Sequence, residues 1–437
     1  MPQLRAGFGL AILLALAWLL SSDRRRFPLK VVLGGLALQY AFALFVLRTG
    51  VGSQVFDAIG RFVAVLIDAS DQGAAFIFGG LVRNEPDKWG FVFAAKALPT
   101  IIVFSSLSAI GYHLGILQRV VGVFAWVMAR LMGVSGAESM CAAANVFMGQ
   151  TEAPLFVRPF IPKMTQSELN AVMIAGFATI AGSLMAVYAG MLGHSDSAAV
   201  AAMAKHLLTA SLISSPASLA VAKILLPETG EPVTAGRVRI VPERTTRNLI
   251  DAASTGAADG MKLAINVAAM LIAFIALVAL IDKAFTILPW IDSRLGMNGG
   301  PVIFGPLGEW LGIPAWTLDG VLGRIFTPIA WLIGIDGAQR QPFASLLGKA
   351  MAANEFLAYK SLGEFTQSGT LDPRSVTLAV YALCGFANFS SIGIQIAGIG
   401  GMAPERYHDL ARLGLRAMLG GAIACWMTAC VGGTLIE

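Results

Sequence analysis

The residues of this chain that are equipped for chemistry stand inside otherwise apolar sequence. Glu152 lies in Gly149-Gln150-Thr151-Glu152-Ala153-Pro154-Leu155, preceded by Ala142-Ala143-Ala144 and Phe147-Met148. A carboxylate at bilayer depth is costly enough to mark a functional site by default. Gly149 and Pro154 disturb the backbone around it, and irregular backbone survives at that depth only where it is buried in protein or lines a cavity. A second acid stands in Asn354-Glu355-Phe356. Two more polar clusters are Thr179-Ile180-Ala181-Gly182-Ser183 and the run from Cys384 through Phe386, Asn388 and Ser391 to Gly393. The chemistry on offer is recognition of a small, polar, largely uncharged solute. The amide of Gln150 both donates and accepts, and Thr151 adds a hydroxyl, so the pair suits the edge of a heterocyclic base. A carboxylate such as Glu355 accepts two hydrogen bonds from vicinal hydroxyls, as on a sugar. Asn388 and Ser391, three apart, share a face of a helical stretch, and Phe386 suits a flat ring. No arginine lies in these clusters, which argues against a phosphate or dicarboxylate.

Each residue also has a plainer reading. Glu152 joins helices if a basic side chain pairs with it. Asn145 and Thr179 serve equally well as interhelical hydrogen-bonding groups. Ser183 beside Gly182 fits a small-residue contact, Phe386 a core aromatic, and Lys205-His206 a snorkelling pair at a span end. The four cysteines lie in apolar segments without histidine at metal-ligand spacing, which reads as packing. Gly398-Ile399-Gly400-Gly401 resembles a dinucleotide fingerprint, but no strand precedes it. Gly133-Val134-Ser135-Gly136 matches the GxSG of intramembrane serine proteases. Its serine needs a histidine base within reach, and His194 and His206 fall near the opposite ends of their spans. This distant alternative is set aside, and the chain is read as no enzyme.

These groups must be positioned by helices. The 437 residues are 56% hydrophobic and only 13% charged, with a mean hydropathy of +0.73, which excludes an ordinary soluble protein. The net charge of +5 requires no nucleic acid as partner. Stretches of about 20 apolar residues can cross a bilayer, and spans are predicted near 6–20, 31–47, 91–114, 169–192, 200–226, 262–281, 376–399 and 415–435. Residues 51–90 mix apolar turns with Asp57, Arg61, Asp68 and Asp71 and read as interfacial helices. Ser214-Ser215-Pro216 marks a possible bend in its span. Residues 136–163 and about 318–359 read as re-entrant hairpins tipped by Glu152 and Glu355. Arginines gather at 24–26, at 119, 130 and 158, in the linker at 237–247, and at 406, 412 and 416. The positive-inside rule puts these loops in the cytoplasm and both termini outside, in an inner (plasma) membrane, only if neither hairpin crosses. The expected architecture is an all-α polytopic membrane protein with eight transmembrane helices, two re-entrant hairpins and interfacial helices. Its segments are N-terminal scaffold helices 1–115, a first transport-core half 116–226, a cytoplasmic linker 227–261, a long scaffold helix 262–283 and a second half 284–437. One hairpin and one broken helix per half point to a secondary transporter with an inverted repeat.

The motifs GQTEAPL at 149–155, TIAGSL at 179–184, NEF at 354–356 and GFANFSSIGI at 385–394, in this order, resemble those of the concentrative nucleoside transporter family. The resemblance implies a sodium-coupled nucleoside importer working by alternating access, assembled as a homotrimer around a scaffold that includes the long helix. It implies a base-side set of Gln150, Thr151, Glu152 and Leu184 and a ribose-side set of Glu355, Asn388 and Ser391 with Phe386 beside them. It also implies a sodium site from Asn145, Met148, Thr179 and Ile180, partly through backbone carbonyls. Leu184 would narrow the base pocket if a smaller side chain is the norm. Proton coupling is the alternative, since protonation would also meet the charge cost of Glu152.

Overall fold

The computed structural model describes residues 2–82, 92–193, 196–236, 246–295, 307, 308, 310, 313 and 316–436, and among these every regular element is a helix. His194 and Arg237, Arg239 and Arg244 of the linker lie outside the described residues. Among the described residues, eight helices are long and apolar enough to cross a membrane. They differ in what surrounds them. The most apolar 18-residue window is 100% buried in α9 (Ser197–Leu225), but only 11% buried in the stretch Leu249–Phe285 of α10 (Leu249–Leu295), whose mean hydropathy there is 2.8. The first helix is core; the second presents its apolar surface outward.

α10 lies along α4 (Phe93–His113), and two glycines one turn apart set their approach. A Cβ on Gly256 would stand 2.6 Å from the Ser105 carbonyl oxygen, and one on Gly260 2.8 Å from Ile102 Cα. These obstacles are backbone, which cannot move aside as a side-chain tip can. Gly256→Leu is therefore expected to separate the two helices at a cost of about 3 kcal/mol, read as a lowered melting temperature of the purified protein.

The interior is built around two interrupted helices. α7 (Gln166–Phe177) and α8 (Gly182–Gly193) are separated by residues 178–181. α14 (Pro373–Ala382) and α15 (Phe389–Met402) are separated by 383–388. The two breaks touch: a Cβ on Gly385 would lie 2.3 Å from the Phe177 carbonyl oxygen. Beneath them, the Cys425 thiol of α16 (Tyr407–Leu435) reaches the carbonyls of Ala178 and Cys384, at 3.5 and 3.2 Å. On the other side α9 supplies hydroxyls. Ser211 Oγ accepts from Ile180 N at 3.3 Å and Ser215 Oγ donates to the Ala142 carbonyl at 2.8 Å. Backbone freed by unwinding thus finds partners inside the protein, the condition for irregular backbone at membrane depth.

Each half carries a helical hairpin. The first runs from α6 (Gly136–Ala144) through a turn to a 3-10 helix, Ala153–Lys163. Pro154, Pro159 and Pro162 each remove an N–H from that arm, which keeps it from winding as an α-helix. Ser135 starts α6 through a capping box with Glu138 and donates to Glu168 at 2.7 Å. Its hydroxyl is thus occupied in capping, which accounts for the GxSG match. The second hairpin pairs α12 (Arg340–Ala352) with α13 (Glu355–Gln367). Asn354 caps α13 by accepting from Leu357 N at 3.0 Å.

Several expected boundaries shift in the structure. Residues 51–78 belong to one long helix, α3 (Gly50–Phe78), rather than to several. Two of its aspartates are paired, Asp57 with Lys205 at 2.8 Å and Asp71 with Lys96 at 3.7 Å. The broken helix expected within 376–399 is α14 and α15, with its break at 383–388. The linker 227–261 is helical from Leu249 onward, and α10 overruns the expected 262–283 at both ends. The stretch Leu318–Ile333 is a helix of its own, α11, ahead of the second hairpin, and the counterpart of α5 (Ile116–Met132) ahead of the first. Pro216 sits within α9 without interrupting it.

Candidate substrate and cation site

The two hairpin tips and the two breaks close around a cavity of about 660 Å³. Gln150, Thr151 and Glu152 enter from the first tip, Leu184 from α8, Asn354, Glu355 and Phe356 from the second tip, Phe386 and Asn388 from the second break, and Ser391 from the first turn of α15. Every residue expected to face substrate therefore lines one space. The fourth wall is α10, with Asp259, Lys262 and Asn266. Lys262 is the cation of this wall and pairs with Asp259 at 3.3 Å.

Glu355 is held from both halves of the chain. Asn388 Nδ2 donates to its Oε2 at 2.8 Å and the Tyr188 hydroxyl to its Oε1 at 3.1 Å. Tyr188 is in turn stacked on Tyr359, ring centroids 4.2 Å apart and 13° from parallel. Each carboxylate oxygen has a second lone pair left for a ligand hydroxyl. Asn388 and Ser391 are joined differently from the expected shared helix face: Asn388 caps α15, its Oδ1 accepting from Ser391 N at 2.9 Å. Its amide is thus divided, the nitrogen on Glu355 and the oxygen on the helix start.

Glu152 forms no ion pair among the described residues. Its Oε2 accepts from Gly149 N at 3.3 Å, within the tip. It also lines a second chamber of about 220 Å³, as does Asp259. Hydroxyl groups of Ser105, Ser108, Tyr112, Thr246 and Thr255 border that chamber, together with Arg158.

The four residues expected to hold sodium gather where the first tip meets the first break. Gly182 N donates to the Phe147 carbonyl at 3.2 Å, joining the turn that holds Asn145 and Met148 to the break that holds Thr179 and Ile180. Asn145 is fully buried, its Nδ2 donates to the Cys141 carbonyl at 3.0 Å, and its Oδ1 has no partner. A buried acceptor without a donor is costly, and a cation preferring oxygen ligands fits it. Thr179 Oγ donates back to the Ala175 carbonyl at 2.9 Å, which leaves its lone pairs as acceptors. Met148 and Ile180 have only their main-chain carbonyls to offer as oxygen ligands.

Sequence reasoning passed over Tyr188, Gln395 and the α10 wall. Tyr188 carried a signal, since a tyrosine deep in a span needs a partner for its hydroxyl.

Two broken helices that touch at their breaks, a tip from each half and a cavity between them define a membrane transporter. Its sequence matches three family models. They are the N-terminus of Na+ dependent nucleoside transporters over residues 8–81, nucleoside recognition over 94–195, and the C-terminus of Na+ dependent nucleoside transporters over 206–433. The chain belongs to the Na+ dependent nucleoside transporter family. An uncharacterized transporter of Haemophilus influenzae is 41% identical over 441 residues, which is 100% of this chain and 98% of that protein. Solute carrier family 28 member 3 of Rattus norvegicus is 38% identical over 449 residues, and the match spans 59% of its length. CNTnw, solved in an inward-facing substrate-bound state, is 36% identical, with a TM-score of 0.86 over 99% of each chain. A CNTnw variant solved in an outward-facing state, also 36% identical, gives 0.85 over 100% of this chain and 98% of its own.

Proposed function

We infer that this protein imports nucleosides by sodium-coupled symport with alternating access. The observation that carries this reading is the convergence of base-reading amide and hydroxyl groups and a sugar-reading carboxylate on one cavity, with an orphaned oxygen, Asn145 Oδ1, at the adjoining tip. Gln150, Thr151 and Leu184 meet the base, with Glu152 acting there through water or tuning ion coupling. Glu355, Asn388 and Ser391 hold the ribose, and Phe386 packs beside it. Asn145, Met148, Thr179 and Ile180 hold the co-transported sodium. The pair of α4 and α10 is the fixed frame past which the hairpins move in an elevator-like step. The outward apolar side of α10, with Ile265 59%, Ile272 73% and Leu280 62% exposed, supports assembly as a homotrimer through this frame. The arginine-rich loops support an inner-membrane protein with both termini outside.

The test is uptake into proteoliposomes of nucleosides, nucleobases, amino acids and dicarboxylates, with and without a sodium gradient at fixed pH. Nucleosides alone should compete, and only with sodium. Uptake that ignores sodium and follows a pH gradient assigns proton coupling instead.

A further inference from the structure

We propose that Gln395 is a positioning residue for base recognition. It locks Gln150 in one orientation, with its carbonyl oxygen turned to Gln395 and its NH₂ left for the base. This deepens the nucleoside reading above and rests on it.

Gln395 lies on α15 and is fully buried. Its Nε2 donates to the Met173 carbonyl at 3.0 Å and to Gln150 Oε1 at 2.9 Å. The two ends of an amide are told apart by what they face. Met173 O only accepts, so the Gln395 atom beside it must be the nitrogen; turning the amide over would set oxygen against oxygen. An NH₂ group has two hydrogens, and these two acceptors use both. Whatever part of Gln150 meets that nitrogen must therefore accept, which fixes it as Oε1. Gln150 Nε2 is left with its two hydrogens and no bond to a described residue, on the wall of the large cavity.

An independent feature of the sequence serves the same contact. Gly176, on α7, faces both glutamines. A Cβ there would stand 2.7 Å from Gln395 Nε2 and 2.9 Å from Gln150 Cβ. A glycine leaves the room in which the two amides meet. The contact also bridges the two halves of the chain, from the first hairpin tip to the second broken helix.

With its NH₂ turned to the base, Gln150 favours a carbonyl oxygen or an unprotonated ring nitrogen over an edge that presents only N–H. Uridine and two analogues, one lacking the 4-oxygen and one the 2-oxygen, probe this by calorimetric titration of the full chain in saturating sodium. In the native protein one of the analogues should bind about tenfold more weakly than uridine, as expected when a buried donor loses its partner. In Gln395→Met the freed Gln150 amide can turn, and the ratio should fall to within about threefold. The penalty for removing the ribose hydroxyls, which falls on Glu355, should stay unchanged. Gly176→Ala should reproduce the loss of base discrimination with Gln395 intact. Equal binding of uridine and both analogues by the native protein, a ratio that survives in Gln395→Met, or base and ribose penalties that fall together would each overturn the proposal.

If Gln395→Met does not fold, Gln150→Glu decides. It keeps an acceptor for Gln395 and turns the free N–H into a carboxylate oxygen, so nucleosides presenting N–H at that edge should gain on those presenting carbonyl. An unaltered order overturns the role of Gln395. A native chain that binds no nucleoside removes this proposal and the reading beneath it together; nucleoside binding with an unmoved ratio removes the proposal alone.

Discussion

Glu355→Gln is expected to lower uridine affinity by about a hundredfold and to leave inhibition by free uracil within about a few-fold of the native value. The carboxylate is the one group in the cavity that receives donors from both halves of the chain, Asn388 Nδ2 and the Tyr188 hydroxyl. Glutamine keeps one acceptor and turns the other into an NH₂, which then faces one of those donors. Hydrogen bonds to a charged group contribute about 1.5–3 kcal/mol each, and a donor left buried without a partner adds a similar cost. About 2.7 kcal/mol corresponds to a hundredfold. Tyr188→Phe, which removes one donor and leaves the carboxylate, should lose less. Competition of uridine and uracil against labelled uridine measures both, and equal losses for nucleoside and base would remove Glu355 from the sugar.

The second large effect concerns Asn145→Leu, which should abolish the response to sodium without unfolding the chain. Asn145 Oδ1 is buried and unpartnered, so in the sodium-free protein it is a burden of about 1–3 kcal/mol. Leucine has nearly the same shape and no such oxygen. The variant should therefore be at least as heat-stable as the native chain without sodium, yet gain nothing when sodium is added, because a bound ligand stabilises only a protein that binds it. Its uridine affinity should no longer rise with sodium, and by linkage uridine should no longer sharpen sodium binding. A full sodium-induced rise in melting temperature in Asn145→Leu would place the ion elsewhere.

The polar groups of the cavity were legible in the sequence because they interrupt apolar runs, and at membrane depth an interruption of that kind is costly unless it serves a site. The hairpin tips announced themselves through Gly149, Pro154 and Asn354. What stayed hidden depended on partners far along the chain. α3 looked too charged to be one long apolar helix because Lys205 and Lys96, which pair with its aspartates, lie on other helices. The polar start of α10 read as linker because the surface of α4 that receives Gly256 and Gly260 is more than 140 residues away. Gln395 sits in a glycine-rich apolar run where a single amide looks incidental; only folding brings it to Gln150 and Met173. α11 was merged into the second hairpin because its sequence is as apolar as a hairpin arm.

The buried thiols have a practical side. Cys141, Cys384, Cys425 and Cys430 are the only cysteines of the chain, and all four are buried, with Cys425 committed to the carbonyls of both helix breaks. Water-borne thiol reagents find nothing to modify on the native protein. A cysteine introduced at Ser108 or Thr246, in the smaller chamber, would then report alone. Its labelling rate from either side of the membrane would show which face that chamber opens to, with the rest of the molecule silent.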